Sequence, residues 1–547
     1  MIHNGKHRGF RLTAAVPVVI ALALGACLSN GSQAIVQQVQ RMADTARAAR
    51  QGSPAGAAAD GRTLYVDVQL AADSCTTYSA TTRRCDGGTE AAYRDPDAAS
   101  RAATPGDTVM IRGGVYARPF APATSGRETA AITFRGHPGE TVTFTQTAAT
   151  DGPAITIRGR SYLTIQSIAV EDVHAWIGIE DSHHIVIRDS RFSRAGARGS
   201  KAGLKFVGSH DNKILNNVLE DGNDNVTLLE SDRNVVEGND FRLARHSLVA
   251  VWCANFNVIR RNRFVNTRQK AIEVHDCDGQ YGLPLLVDAT KRNLFEGNAF
   301  LHTRASVEFF RYNGIQYAGQ MGIVRKNVFV DNQGGALNHH VYPTEAFYNY
   351  GHRIYQNTFY ANRCYALRSS TGTGHRFPDT IMKANLLYRN VDCAGDPVQA
   401  AMPAPSEFQR AGNVTVKATD DPGFVDAAKM DLRLRADSPL IGKGGFLTQA
   451  VRAGSGTIMA VDDAWYFYDG YGIAGEAGDQ IQLAGTRQRA RVVSVDYVQS
   501  TLTLDRALTW AAGQGVALAY EGDAPDPGAY DTAAAPGDRA ADGARSH

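Results

Sequence analysis

The chain has 547 residues, a formal net charge of +2, 20% charged residues and 54 glycines. That balance excludes nucleic-acid binding through a global basic field, and the composition favours a large, turn-rich folded protein over a disordered one. Any acidic partner must be held by local groups.

Taken in chain order, Lys6, Arg8 and Arg11 precede an apolar run from Ala14 to Leu24 that ends in Leu24-Gly25-Ala26-Cys27. This is the pattern of an export signal, too short for a permanent membrane helix. Small residues before a cysteine resemble the bacterial lipobox, which implies that residues 1–27 are a lipoprotein signal and that Cys27 carries lipid. The other reading is an ordinary cleaved signal with an incidental cysteine. No later run approaches the ~20 apolar residues of a membrane span. The expectation is a secreted protein of the bacterial envelope, held to the membrane only by its anchor. Residues 28–60 read as a tether.

From about residue 155 to 395 the pattern apolar-x-x-Asn-x-apolar recurs, as in Val236 to Phe241, Ile259 to Phe264, Phe295 to Phe300, Val324 to Phe329 and Ile354 to Phe359. The Asn slot falls at Ile168, Ser190, Asn217, Asn239, Asn262, Asn298, Asn327, Asn357 and Asn385. Short β-branched and aromatic runs at that spacing, with turn residues between them and no helical period, define coils of a parallel β-solenoid. The recurring Asn is expected to form a structural ladder at a tight, left-handed corner.

The lead-in Leu64-Tyr65-Val66-Asp67, Pro105-Gly106-Asp107-Thr108-Val109, Arg112-Gly113-Gly114-Val115-Tyr116 and Ile132-Thr133-Phe134-Arg135 resembles that of the pectate-lyase-like β-helix superfamily. Asp421-Pro422-Gly423-Phe424-Val425-Asp426 and Ser438-Pro439 resemble its closing coil. The resemblance implies an all-β fold: a right-handed parallel β-helix over residues 61–445, with residues 93–104 as the helix capping its N-terminal end. Residues 446–531 read as a small antiparallel β module, either a C-terminal cap or a carbohydrate-binding accessory. Residues 532–547 read as a disordered tail.

Besides Cys27 there are six cysteines. Cys253 with Cys277, and Cys364 with Cys393, occupy matching slots of consecutive coils, so each pair is expected to bridge coils ~4.8 Å apart. Cys75 and Cys85 would close a local loop. Zinc is the alternative, but no CxxC pairs or histidines at ligand spacing accompany them.

The groove of a β-helix is lined by outward side chains at equal slots of successive coils. Aligning first strands puts Gly178, Lys205, Thr227, Val249, Glu273, Glu308, Asn338 and Arg368 in one row. The row beside it is Glu180, Val207, Leu229, Val251, His275, Phe310, His340 and Ser370. Glu273 and Glu308 would stack beneath Asn338, beside His275, Asp276, Arg311 and His340. Stacked carboxylates need a cation, a shared proton or a positive neighbour, so calcium on Glu273, Glu308 and Asn338 is the candidate cofactor. The plainer reading is a surface network in which Arg311 and Arg368 supply the charge. Lys205, Trp252, Asp276, Asn338, Tyr342 and Arg368 are expected to contact substrate. His246 and Lys270 end turns near the groove, and His183 with His184 lies in a distant polar turn.

The chondroitinase B and alginate lyase family is similar in the lead-in, and that similarity implies a calcium-assisted lyase with a Lys base and an Arg-His pair. Glu273 and Arg311 fall on comparable coils, with Tyr312 where the family has His. The leading expectation is an enzyme cleaving a uronate-containing polysaccharide, with His275, or else His340 or Lys270, as base and Arg311 neutralising charge. A glycoside hydrolase on the same groove and a non-catalytic polysaccharide-binding lipoprotein are the alternatives, and a monomer is expected in each case.

Overall fold

Each coil is made of three short strands joined by corners, and residues 175–195 show one in full. Ala175–Glu180 forms the first face, His183–Arg188 the second and Arg191–Ala195 the third, after which Leu204–Val207 pairs in parallel on Ala175–Glu180 and starts the next coil. This computed structural model describes residues 61–146, 151–196, 203–266, 269–277, 290–302, 313–339, 349–369, 378–392 and 408–531. Among them the second face is a 15-stranded sheet, while the first and third faces join in a 19-stranded sheet. The chain is a right-handed parallel β-helix. At its N-terminal end the Pro96–Ala102 helix is capped by Asp95, whose side chain accepts from the Asp97 amide, and Ala99 packs into the main core. None of the helices described is long and apolar enough to cross a membrane.

Alternation along each strand sends apolar residues inward, where like stacks on like. Phe241, Phe264, Phe300, Phe329 and Phe359 stack with ring centroids 4.5 to 5.0 Å apart. Beside them runs the expected Asn ladder. Each Asn Oδ1 accepts from both the backbone amide and the Nδ2 of the Asn on the preceding coil, from Asn217 through Asn239, Asn262, Asn298, Asn327, Asn357 and Asn385 to Asn413. The left-handed corner is not the ladder Asn itself, as the sequence suggested, but the residue before it: Asn216, Gly238, Arg261, Gly297, Lys326, Gln356 and Ala384 all have positive φ. The Asn is thereby turned inward, fully bonded and buried. Two further ladders run through Asn212, Asn234, Asn257 and Asn293, and through Asn332, Asn362 and Asn390.

Asn298→Leu, in mid-ladder, strips the Asn262 amides of their acceptor and the Ile259 carbonyl of its donor. Buried polar groups left without partners cost about 1–3 kcal/mol each. The expected loss is therefore several kcal/mol, read as a lower denaturation midpoint with an unchanged slope.

The antiparallel module is a six-stranded sheet. It does not close the end of the solenoid but lies along the second face. Outward Val235, Val258, Leu294, Ile323 and Tyr355 share one apolar cluster with its Tyr466, Tyr468, Ile473 and Ile481. Charged pairs ring that cluster: Arg260 with Glu476 at 2.5 Å, Arg325 with Asp479 at 2.6 Å and Arg353 with Asp463 at 2.7 Å. The module thus covers the second face along the coils from Val235 to Tyr355. Phe424–Asp426, from the expected closing coil, pairs with Asp431–Leu434 in a separate two-stranded sheet.

Cys75–Cys85 and Cys253–Cys277 are disulfides. Cys364 is also disulfide-bonded, while Cys393, its expected partner, lies outside the described residues.

Candidate functional site

The register of the first face corrects both rows. Thr227 pairs with Ala250 rather than Val249, and Leu229 with Trp252, because the strand Asp240–Trp252 gains one residue between Ala244 and Ser247, opposite Gly222 to Asp224. Glu273 pairs with Ala250 on one side and with Gln316 on the other, and Gln316 pairs with Asn338, which pairs with Arg368. The register partner of Glu273 on the next coil is thus Gln316, in the strand Asn313–Tyr317, and Glu308 lies outside the described residues. The register column is Glu273, Gln316, Asn338. Among the described residues no group of three or more His, Cys, Asp or Glu is placed to hold a metal ion.

The Glu273 charge is met by groups from its own strand and the coil before it. Lys270 Nζ, at the start of the same strand, bonds Oε1, and Ser247 Oγ donates to Oε2 at 3.1 Å. His246 stands between two carboxylates, with Nδ1 2.8 Å from Asp224 Oδ1 and Nε2 3.6 Å from Glu273 Oε2. Asp224, Ser247 and Lys270 are register partners on successive coils, and Asp224 Oδ1 also accepts from the Ser247 amide. His246 and Lys270 belong to strands, Asp240–Trp252 and Lys270–His275, not to turns. Burial pushes the Glu273 carboxyl up, but Lys270 and then His246 outweigh it and hold it at about 2. Burial pulls the His246 ring down, and the Asp224 hydrogen bond with the Glu273 charge more than restores it, leaving it raised.

His275 stands two residues beyond Glu273, with the inward Val274 between them. Its Nδ1 lies 2.7 Å from the Asp276 carbonyl oxygen, which can only accept. Nδ1 therefore carries the proton, and the neutral ring has its lone pair on Nε2. Burial lowers the His275 pKa, but the Asp276 contacts and the Glu273 charge outweigh it, so the net shift is upward. Glu273 and His275 face outward in register, yet only 3% and 4% of their surfaces are exposed.

Trp252 is the register partner of His275 and meets its ring edge to face at 6.3 Å. It also packs on the Cys253–Cys277 disulfide with Leu229. The disulfide thus ties the strand ends that carry Trp252 and Asp276. Lys205 is on the same row as Glu273 but three coils away. Asn338 is buried two coils beyond Glu273, while Arg311, His340 and Tyr342 lie outside the described residues, as does the Arg368 side chain. His339, next to His340, points into the core instead, where burial holds its pKa down at about 3. The sequence reading missed Asp224 and Ser247 and undervalued His246. The signal for all three was the spacing that puts them, with Lys270, in successive coils.

A family model described as "Periplasmic copper-binding protein (NosD)" matches residues 137–387. No curated protein matches the chain. Among solved structures the chain is similar to an alginate lyase from Paenibacillus sp., at 14% identity over 56% of this chain and 96% of that one, with a TM-score of 0.38. It is similar to the pectate lyase Pel9A at 12% identity over 86% and 97%, with a TM-score of 0.42. It is also similar to the GH136 lacto-N-biosidase from Eubacterium ramulus at 12% identity over 64% and 68%, with a TM-score of 0.45. The disulfides fit an oxidising, extracytoplasmic compartment.

Proposed function

We propose that this chain is a lyase-type enzyme of the bacterial envelope, anchored through Cys27, that cleaves a uronate-containing polysaccharide along the first face. His275 is the base, and Lys270 and His246 are the positive groups of the site. The observation that carries the reading is the His275 hydrogen bond to the Asp276 carbonyl, which fixes the lone pair on Nε2 two residues from Glu273 and its cations. Removing the proton beside a carboxylate is slow unless charge on that carboxylate is stabilised as the transition state forms. Lys270 and His246 can supply that stabilisation, with Arg311 a further candidate. Trp252 and Asn338 would bind the sugar rings on either side.

The hydrolase reading requires a carboxylic acid with a raised pKa beside a second carboxylate. Glu273, held at about 2, is ionised at any working pH, and Gln316 occupies the slot expected for its partner. These two points favour the lyase.

The test is incubation of the mature protein with a panel of polyuronates. Elimination leaves an unsaturated sugar with new ultraviolet absorbance. A base must be neutral to act, so kcat/KM should rise with pH through a pKa above the ordinary histidine value of about 6.5. A rate that falls over that range would reassign the base. Chelation is the companion measurement: neutralisation by Lys270 and His246 predicts unchanged activity, whereas loss restored by calcium would assign Glu273 and Asn338 to a cation. New reducing ends without absorbance would establish the hydrolase, and neither product would leave a binding protein.

A further inference from the structure

The row of outward residues that ends at His275 changes character over the coils before it. Counted toward His275 it reads Glu180, Val207, Leu229 and Trp252, each the register partner of the next. Phe206, Leu228 and Val251, which precede the last three, lie in the main core, so Val207, Leu229 and Trp252 face outward, and each is half-buried. Leu229 and Trp252 pack on the buried Cys253–Cys277 disulfide, which fixes this apolar floor. At its far end Glu180 is paired with Arg158 at 2.5 Å. In the neighbouring row Thr227 and Ala250 are buried and neutral, and Lys205 stands beside Val207 only. The corner residue after Leu229 is Glu230, left-handed at φ +49° and exposed. Thr227 Oγ1 and Trp252 Nε1 are buried without a hydrogen-bond partner.

We propose that Trp252, Leu229 and Val207 form consecutive subsites for uncharged sugars, so that the chain held here is a heteropolysaccharide whose uronates are separated by runs of at least two uncharged residues. Coils repeat every ~4.8 Å. That is close to the advance of one pyranose in an extended chain, so a polysaccharide lying along the row sets one ring on each coil. The C–H faces of an uncharged sugar pack on Trp252 and on the aliphatic Leu229 and Val207. A carboxylate on the same floor would give up its water with no cation on the coils of Leu229 and Trp252 to replace it, and would meet the Glu230 charge. Sugar hydroxyls are suited to Thr227 Oγ1 and Trp252 Nε1, polar groups that are costly to leave alone. The inference deepens the lyase reading and rests on the same groove: a uronate lies at His275, and the uncharged run extends from it toward Val207.

The experiment is titration calorimetry of the mature His275→Asn variant, so that binding is read without cleavage, at low ionic strength. The probes are polygalacturonate, a uronate at every position; hyaluronan, in which single uncharged residues separate the uronates; and deacylated gellan, in which longer uncharged runs do. Gellan is expected to bind at least about tenfold more tightly than polygalacturonate, with hyaluronan between them. Adding Trp252→Ala should weaken gellan binding by about tenfold. Adding Val207→Lys, a change outside the cluster around the disulfide, should raise polygalacturonate affinity about threefold and narrow the preference, with the melting of the protein unchanged. Polygalacturonate bound as tightly as gellan, a preference that Val207→Lys leaves unmoved, or binding of none of the three would overturn the proposal. Digestion by the parent protein separates this inference from the lyase reading. Tight gellan binding without cleavage contradicts the lyase and keeps the subsites, whereas tight binding and cleavage of polygalacturonate does the reverse.

Discussion

Replacing His275 by Asn is expected to lower turnover of the cleaved polyuronate by roughly two to four orders of magnitude, the usual cost of removing a general base. Asn can still donate to the Asp276 carbonyl that His275 Nδ1 now contacts at 2.7 Å, so the local backbone keeps its partner while the base is lost. The loss should fall on kcat with KM little changed, and the variant should still unfold cooperatively. Full activity would remove His275 from the mechanism. Glu273 is a less clean target. Glu273→Gln removes a carboxylate that Lys270 and His246 both contact in a buried setting, so stability is expected to fall together with activity.

The second large effect concerns the lateral module. Arg325 is nearly inaccessible and holds Asp479 through two contacts of 2.6 Å, Glu296 at 2.9 Å and the Tyr355 hydroxyl at 2.9 Å. Arg325→Met keeps the bulk but strands the Asp479 and Glu296 carboxylates, and breaking a buried pair on one side costs about 3–5 kcal/mol. Chemical denaturation should show that loss, and limited proteolysis should cut the module before the coils. Adding Asp479→Asn should recover part of it, since the uncompensated charge and not the missing contact dominates. A variant as stable as the parent would mean that the apolar cluster of Val258, Ile323 and Tyr355 alone holds the module in place.

The solenoid was legible because its repeat is enforced by packing. From Asn217 to Asn413 each coil carries an inward apolar residue and a bonded Asn at the same place, so Asn239 to Asn385 announce the register of their own faces. The first face lacks such a marker. Leu248-Val249-Ala250-Val251 is apolar at every position and buried throughout, so alternation could not reveal the one-residue shift that the extra residue between Ala244 and Ser247 introduces. Val307-Glu308-Phe309-Phe310 has the alternation of a strand, while the strand that pairs with Lys270–His275 is the less apolar Asn313–Tyr317. Glu273 and His275 were found because Ile272 and Val274 alternate cleanly around them. Asp224, His246 and Ser247 were missed because they belong to long continuous strands, Val218–Leu229 and Asp240–Trp252, where the sequence suggested corners. The side docking of the module was hidden for a similar reason. Val235, Val258, Leu294 and Ile323 read as ordinary strand residues, and only the module makes their outward face buried.

The reaction class is tested most directly by running the digestion in heavy-oxygen water and weighing the oligosaccharides. Elimination transfers a proton from the carbon beside the carboxylate to His275, breaks the bond to the leaving sugar oxygen and leaves a carbon–carbon double bond, consuming no water. The predicted products therefore carry no solvent oxygen, and each new chain end on the unsaturated side is lighter by one water than its hydrolytic counterpart. One heavy oxygen incorporated per cleavage, with saturated ends, would contradict the lyase assignment and return the site to hydrolysis.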